Sequence, residues 1–364
     1  MHAVEEMQVR ITVGVDTHAE VHVAAALDQL GRQLGTRAFA TTPAGYRALL
    51  IWCRHFGPVE GFGIEGTGSY GAGLARWLRA QGYAVVEVAR PDRKARRRQG
   101  KSDALDAVAA ARAVQAGVAT AQPKAGTGPI EMIRMLQATR RSALKARTQT
   151  ANQLHAVVVT APEPLRSHLR RLSLARLVTT AAALRPGPAV STPLAATKLA
   201  LRCLATRHQH LTAEIQLLDQ QLEPLVAATA PELLAVKGIS TITAATLLVT
   251  AGDNPDRLRS EAAFAHLCGV APVPASSGKT TRHRLNRGGD RAANQALYLL
   301  AIRRLGWHAP TQAYMARRTA EGLSKPEIVR CLKRYLAREL YPLLARNPAL
   351  RPASPSSSVL LFSA

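Results

Sequence analysis

Residues 9 to 16 read VRITVGVD, an apolar, β-branched run that stops at an acid, Asp16. Val and Ile suit a pleated, half-buried surface, so the run predicts a strand with a carboxylate at its C-terminal end. EVHVAAAL at 20–27 predicts a second strand and TRAFA at 36–40 a third, with short polar or Gly turns between them, the pattern of an antiparallel meander. TPAGYRALLIWCRHF at 42–56 predicts a helix capped by Thr42, with Pro43 at its first position. VEGFGIE at 59–65 is a short apolar strand that again ends in an acid, Glu65; a Gly-rich turn into a helix over 66–81 and the strand YAVVEV at 83–88 follow. Beyond a basic run, Asp103 to about Ala116 predicts a helix built mostly of Ala and Val. This order within residues 8–120 implies a mixed sheet with helices packed against it, an α/β domain.

A chain of 364 residues has room for more than one domain. Residues 117–128 lack periodicity and read as a linker. Over 129–228 strand signals vanish apart from AVVV at 156–159, and the stretches 131–155 and 195–228 carry helical periodicity. Leu211, Ile215, Leu218, Leu222 and Leu225 recur at spacings of three and four, with LRPGPAVSTP at 184–193 as a break, so a helical connector forming an antiparallel hairpin or coiled coil is expected. Residues 230–345 form a mainly α C-terminal domain, in which VKGIS resembles a helix-hairpin-helix turn. There Lys237 and Gly238 would meet a phosphate, the Gly permitting close backbone approach. The tail, 347–364, is rich in Pro and Ser and is expected to be disordered.

Lys and Arg number 48 against 24 Asp and Glu, a formal net charge of +24. Such an excess speaks of partners rather than of fold. Only 9 of the basic residues are Lys, and the planar fork of Arg matches phosphate oxygens, so nucleic acid is favoured over acidic membrane surfaces. Cys53, Cys203, Cys268 and Cys331 lie far apart without CxxC spacing, which argues against a zinc ribbon or disulfide framework and suits a reducing compartment. The N-terminus carries no signal-like segment and no apolar run reaches ~18 residues, so a cytoplasmic protein without a membrane partner is expected.

This basic chain nevertheless places Asp103 and Asp106 one helical turn apart, beside its densest cationic run. That run comprises Arg90, Arg93, Lys94, Arg96, Arg97, Arg98 and Lys101 around the single acid Asp92. Positions i and i+3 of a helix face the same way. If the strands ending at Asp16 and Glu65 are neighbours, four carboxylates converge and repel one another unless a cation sits among them. Mg²⁺ is the fitting occupant, being a hard ion that takes oxygen ligands, and Mn²⁺ can substitute. Two such ions ~3.5–4 Å apart would activate an attacking oxygen and stabilise a leaving one at phosphorus, while the basic run held the substrate backbone in a salt-sensitive way. Taken singly the acids have plainer explanations, Asp16 and Glu65 as turn residues and Asp103 as a charge favoured in a helix's first turn. Their joint placement argues for the metal site.

PASSGKTTRHRLNRGGDR at 274–291 sets Ser276 and Ser277 beside Gly278, followed by Lys279, Arg282, Arg284, Arg287 and Arg291. A serine needs a base, a metal or cationic donors to act as a nucleophile, and the arginines supply the last. The same text serves equally as a basic nucleic-acid-binding loop. SGKTT is not a P-loop, because Val273 stands where the first Gly of GxxxxGK[ST] belongs, so ATP use is not supported.

With VGVDTHAEVHVAAALD, GIEGTGSYG and KSDALDAVAAAR in the first 115 residues, and VKGISTITAATLLVTAGD through FAHLCGVAPVPASSGKTTRHRLNRGGDRAANQALYLLA over about 230–320, the chain resembles the transposases of the IS110/IS1111 group of insertion sequences. The resemblance implies an RNase H-type, RuvC-like first domain whose DEDD tetrad falls on Asp16, Glu65, Asp103 and Asp106. It implies a transposase domain whose serine falls on Ser277, with the adjacent Ser276 as the alternative. It further implies Mg²⁺-dependent strand cleavage and exchange through a serine–DNA linkage, on double-stranded DNA at element ends and target. An element-encoded guide RNA, a homodimer or homotetramer, and a bacterial, nucleoid-associated setting follow in the same way. One departure is Asn286-Arg287-Gly288, where family members usually carry Lys-Arg-Gly; the missing Lys is expected to weaken a backbone contact. Two other readings stay open: a nuclease of the Holliday-junction resolvase type using only the acidic domain, and a non-catalytic basic scaffold for DNA or RNA.

Overall fold

The structure, a computed structural model, describes residues 9–88, 102–252, 258–276 and 283–350. It divides into two compact units, one built on the chain up to Thr127 together with 251–264, the other on 128–250 and 265–349. The stretch read as a helical connector lies in the second unit, whereas the stretch read as the C-terminal domain is divided, 251–264 belonging to the first unit and the rest of it to the second. Among the described residues no helix is long and apolar enough to cross a membrane.

In the first unit β1 (Ile11–Thr17), β2 (Val21–Asp28) and β3 (Gln33–Ala40) form the expected antiparallel meander. β4 (Val59–Glu65) and β5 (Val85–Val88) add in parallel on the other side of β1, giving the order β3-β2-β1-β4-β5. This is the RNase H-like sheet. Strand β3 starts at Gln33, earlier than its β-branched text suggested, because Gly35 lets the chain pass close to the rings of Trp52 and Phe56.

Side chains alternate between the two faces of a strand, and the two faces here are unlike. Ile11, Val13, Val15, Phe62 and Ile64 pack with Leu49, Leu50 and Cys53 of α1 (Pro43–Arg54) and Leu74 and Leu78 of α2 (Ala72–Ala80). Thr42 accepts a hydrogen bond from Gly45 N to start α1, and Pro43 occupies its first turn, as the sequence signalled. On the opposite face Val23, Ala25 and Leu27 meet Ala107, Val108 and Ala111 of α3 (Asp103–Gln115). Burying a Leu, Ile or Phe is worth about 1.5–3 kcal/mol, so the first face dominates the hydrophobic stabilisation. Helix α3 contributes close backbone approach instead. A Cβ on Gly14 would lie 1.9 Å from Ala107 O, and one on Gly63 would lie 2.8 Å from Ala110 O. Gly14 and Gly63 are paired in register, so together they form a trough in which the alanine face of α3 rests. Gln115 Nε2 donates to Asp28 O at 2.7 Å and fixes the far end of the helix.

The second unit is mainly α. Helices α4 (Pro129–Val159), α7 (Pro193–Thr229) and the short α5 (Leu165–Leu169) and α6 (Leu174–Ala182) make the expected hairpin. Arg140 binds Asp219 at 2.5 Å, while Leu154 and Val158 share a core with Leu201 and Ala205, so α4 and α7 run antiparallel. The residues AVVV, β-like in isolation, are the last turn of α4, with Val158 buried. Of the leucine stripe, Ile215 and Leu222 are buried and Leu211, Leu218 and Leu225 half-buried. Beyond the hairpin come α8 (Pro231–Ala235), α9 (Thr241–Ala251), α10 (Glu261–Leu267), the two-stranded β6 (Val273–Pro274) and β7 (His283–Arg284), α11 (Arg291–Trp307), α12 (Ala309–Ala320) and α13 (Lys325–Arg346). Of the tail, Asn347 is buried and donates from Nδ2 to Thr229 O at 3.0 Å, Pro348–Leu350 form a single 3-10 turn, and 351–364 lie outside the described residues.

The trough predicts that Gly14→Ala destabilises the protein by about 1–3 kcal/mol or more, the cost of overpacking, because backbone atoms of α3 cannot step aside as a side chain can. Gly61→Ala, whose added Cβ would meet nothing nearer than 3.6 Å, serves as the control and should leave the urea midpoint close to wild type.

Candidate active site

Asp16 is the sixth residue of β1 and Glu65 the last of β4, and the two strands are paired in register up to Val15 opposite Ile64. The next step along both parallel strands brings Asp16 beside Glu65. Both lie two residues beyond a trough glycine, hence on the face that α3 covers. Helix α3 starts above that edge. Ser102 is its extended N-cap residue, Asp106 N donates to Ser102 O, and Asp103 and Asp106 occupy the first turn, where the helix dipole favours carboxylates. Asp16, Glu65 and Asp106 are each only 8% exposed, whereas Asp103 is half-buried.

His18, which sequence reasoning passed over, completes the cluster. Its Nε2 lies 3.1 Å from Asp16 Oδ2 and 3.4 Å from Asp103 Oδ1. Ligand atoms of Asp16, His18 and Asp103 all fall within 4.8 Å of one another, a grouping able to hold a metal ion. Glu65 and Asp106 stand at the same edge but outside that grouping, although the charge of Asp106 is felt at Asp16. His18 stands just past the end of β1, two residues beyond Asp16, and it is the fold that brings Asp103 to it.

Burial holds the Asp16 carboxyl above the ordinary carboxylate value, and the charges of Asp103 and Asp106 push it the same way, against the opposing effect of His18. Three acids crowded at one edge with a single imidazole between two of them are a donor set for a hard cation with room for one nitrogen ligand. Close by, His22 is fully buried and stacked on Tyr46 at 6.0 Å, both ring nitrogens lacking a hydrogen bond; burial brings its pKa down to about 4.

The serine loop leaves β6 and returns as β7. Ser276 is exposed at its start, and Arg284, Arg287 and Arg291 are exposed on its return. Ser277, Lys279 and Arg282 lie outside the described residues, as do Arg90, Arg93, Lys94, Arg96, Arg97, Arg98 and Lys101. Asn286, where the resemblance led to a Lys being expected, closes a turn: its Oδ1 accepts from Gly288 N at 2.9 Å. The VKGIS turn has the expected form between α8 and α9. Gly238 adopts φ +93° beneath Leu300 and Trp307, and Lys237 is exposed. The Lys237 carbonyl accepts from Arg304 Nε at 3.2 Å, and Arg304, 7% exposed, holds Glu339 through two bonds of 2.7 Å.

Residues 13–161 match the model of the IS110 DEDD family, described as "Transposase", and residues 230–316 match that of the "Transposase IS116/IS110/IS902 family". Together the two matches span well over half of the chain. A curated relative, the "Insertion element IS110 uncharacterized 43.6 kDa protein" of Streptomyces coelicolor, is 30% identical over 130 residues, 35% of this chain and 32% of that protein. The match therefore spans about a third of that relative's length.

Because the folded-state pKa of Asp16 lies above its ordinary 3.8, its ionised form weakens the fold at higher pH, and that penalty is relieved as pH falls through the raised value. Without divalent ions, Asp16→Asn should therefore melt higher than wild type near neutrality, the gain fading towards pH 3.8. Thermal melts of both proteins across pH check this; the acid sensitivity of His22 is common to both and cancels.

Proposed function

Since the chain belongs to the IS110/IS116/IS902 family of transposases, we propose that it is a DNA transposase, an enzyme that cuts and rejoins DNA strands. The observation that carries this reading is the gathering of Asp16, His18 and Asp103 at the C-terminal edge of the parallel β1/β4 pair, with Asp106 acting on Asp16 from the first turn of α3.

Asp16, Glu65, Asp103 and Asp106 would hold two Mg²⁺ ions, with Mn²⁺ as a substitute. When bound, such ions polarise the phosphodiester and lower the pKa of an attacking oxygen. The nucleophile is Ser277, with its neighbour Ser276 as the alternative. Its Oγ attacks phosphorus, a P–O ester to the serine forms as the strand's own P–O bond breaks, and the released strand oxygen takes up a proton. Attack by the hydroxyl of another strand end reverses the step, rejoins DNA and frees the serine. Arg284, Arg287 and Arg291, with Lys279 and Arg282, would hold the phosphates, while Arg90, Arg93, Lys94, Arg96, Arg97, Arg98 and Lys101 grip the backbone near the acids. Lys237 and Gly238 would add a phosphate contact at the helix-hairpin-helix-like turn. Double-stranded DNA, an element-encoded guide RNA and assembly as a dimer or tetramer complete the reading, since cutting and rejoining several strands requires several copies of the serine.

Incubated with DNA of the element ends, Mg²⁺ and guide RNA, the protein should form a covalent protein–DNA adduct. Ser277→Ala should abolish it and Ser276→Ala leave it intact. Asn in place of each tetrad acid should lower cleavage by at least ~100-fold, since even outer-shell partners of a metal cost up to that much. Undiminished cutting by Ser277→Ala with no adduct would leave a resolvase-like nuclease, and indifference to the tetrad variants would leave a binding scaffold.

A further inference from the structure

A cavity of about 590 Å³ opens within the second unit, between the β6–β7 hairpin and helix α13. Its volume lies in the ~300–1,000 Å³ range of ligand sites. Cations line it from two sides: Arg284 from β7, and Arg330, Lys333, Arg334 and Arg338 from α13. Arg330, Arg334 and Arg338 are spaced by four, so they form one stripe along the helix. The acid in the lining, Glu327, lies 4.0 Å from the Arg330 guanidinium and is otherwise committed to the helix start. Its carboxylate accepts from Ser324 N at 2.9 Å and Ser324 Oγ at 2.5 Å in the capping box that starts α13.

The site is constructed rather than merely charged. Lys333 Nζ donates to Asn294 Oδ1 at 2.8 Å, and Asn294 Nδ2 donates to the carbonyls of Cys268 and Gly269, both at 3.0 Å. The ammonium is thereby held in place by the segment that leads into β6. Burial, and then the charge of Arg330, hold the Lys333 pKa below its ordinary value; burial and Arg338 do the same for Arg334. On the rim Tyr335 is 50% exposed, braced edge-on by Tyr314 at 5.4 Å, with the Arg338 guanidinium 5.9 Å from its ring centroid. An exposed aromatic ring beside a row of cations is the pairing that single-stranded nucleic acid requires, a stacking platform next to phosphate contacts. A paired base cannot stack on such a ring.

We propose that this cavity binds an unpaired stretch of the DNA strand undergoing exchange, with phosphates on Arg284, Arg330, Lys333 and Arg334 and one base stacked on Tyr335. The choice of DNA rests on the transposase reading above, because the hairpin that walls the cavity carries Ser276 and Ser277.

The test uses the full-length protein in EDTA, where no strand is cut, and a labelled DNA of about 12 nucleotides, within the site sizes of single-strand binders. Its duplex and an RNA of the same sequence are the comparison probes. Tyr335→Ala should weaken single-strand DNA binding by roughly 5- to 150-fold, Tyr335→Phe should restore it, and duplex binding should not change. Arg330→Gln with Arg334→Gln should flatten the dependence of log K on log salt by about 1.4. In the unaltered protein, 5-iododeoxyuridine in the probe should cross-link to the α13 peptide containing Tyr335. Unchanged affinity and salt slope in variants that melt like wild type, or a cross-link elsewhere, would overturn the proposal. Loss of RNA binding in place of DNA binding would overturn it as well. An adduct at Ser277 with an idle α13 removes only this cavity; an active α13 without any adduct removes the transposase reading and leaves the single-strand site.

Discussion

The close approach of α3 to the sheet is the constraint on which the acidic site depends. Two glycines, one in each of the parallel central strands and paired in register, leave a trough where a Cβ would strike the helix backbone. Because strand side chains repeat every two residues, the trough glycine and the terminal acid share a face in both strands: Gly14 with Asp16, Gly63 with Glu65. The helix that settles on the glycines through Ala107, Ala110 and Ala111 therefore carries its first turn to the acids. Position along the helix axis is set by backbone contact, and backbone contact is stiffer than the packing of long side chains.

That arrangement works against stability at the place where it serves chemistry. Carboxylates buried at a sheet edge lose solvation, and those of Asp103 and Asp106 raise the pKa of Asp16 further. His18, set between Asp16 and Asp103, offsets part of this, and the N-terminal dipole of α3 helps the two helix acids. Neither is a full substitute for a multivalent cation. The large apolar core on the opposite face, with Phe62, Leu49, Leu74 and Leu78 fully buried, supplies the stability that lets the edge remain strained.

Much of this was legible in the chain's own text. The succession of strands and helices along the chain, the acids at strand ends and the helix with two acids in its first turn follow from β-branched runs, period-two alternation and capping signals, all local effects. Less legible were features that arise from tertiary contact. AVVV at 156–159 reads as strand, yet packing against α7 carries α4 through it, since tertiary burial outweighs the weak β preference of Val. His18 drew no reading from the sequence because nothing local says that Asp103 will arrive beside it. The VKGIS turn looked like a phosphate site, whereas Gly238 is equally required by Leu300 and Trp307 lying against it. Arg330, Arg334 and Arg338 were hidden among 48 basic residues, and only the fold singles them out by setting them opposite Arg284.

The cationic stripe on α13 cannot be dismissed as a solvated helix face. Like charges four residues apart on a helix destabilise it by about 0.2–0.5 kcal/mol per pair, and the stripe contains two such pairs. A helix shaped by stability alone would intersperse acids. The acids that α13 does carry are committed: Glu327 to the N-terminal cap, Glu339 to the buried Arg304 that ties α11 to the Lys237 carbonyl. One acid thus serves the helix start and Arg330, the other serves Arg304, and the cationic stripe lines the cavity. An anion entering there would relieve the repulsion along the stripe and satisfy donors on both walls at once. The cost is a few tenths of a kcal/mol per pair when empty, while each charge-assisted hydrogen bond to a phosphate oxygen contributes about 1.5–3 kcal/mol, so the balance favours a helix built to be completed by a polyanion.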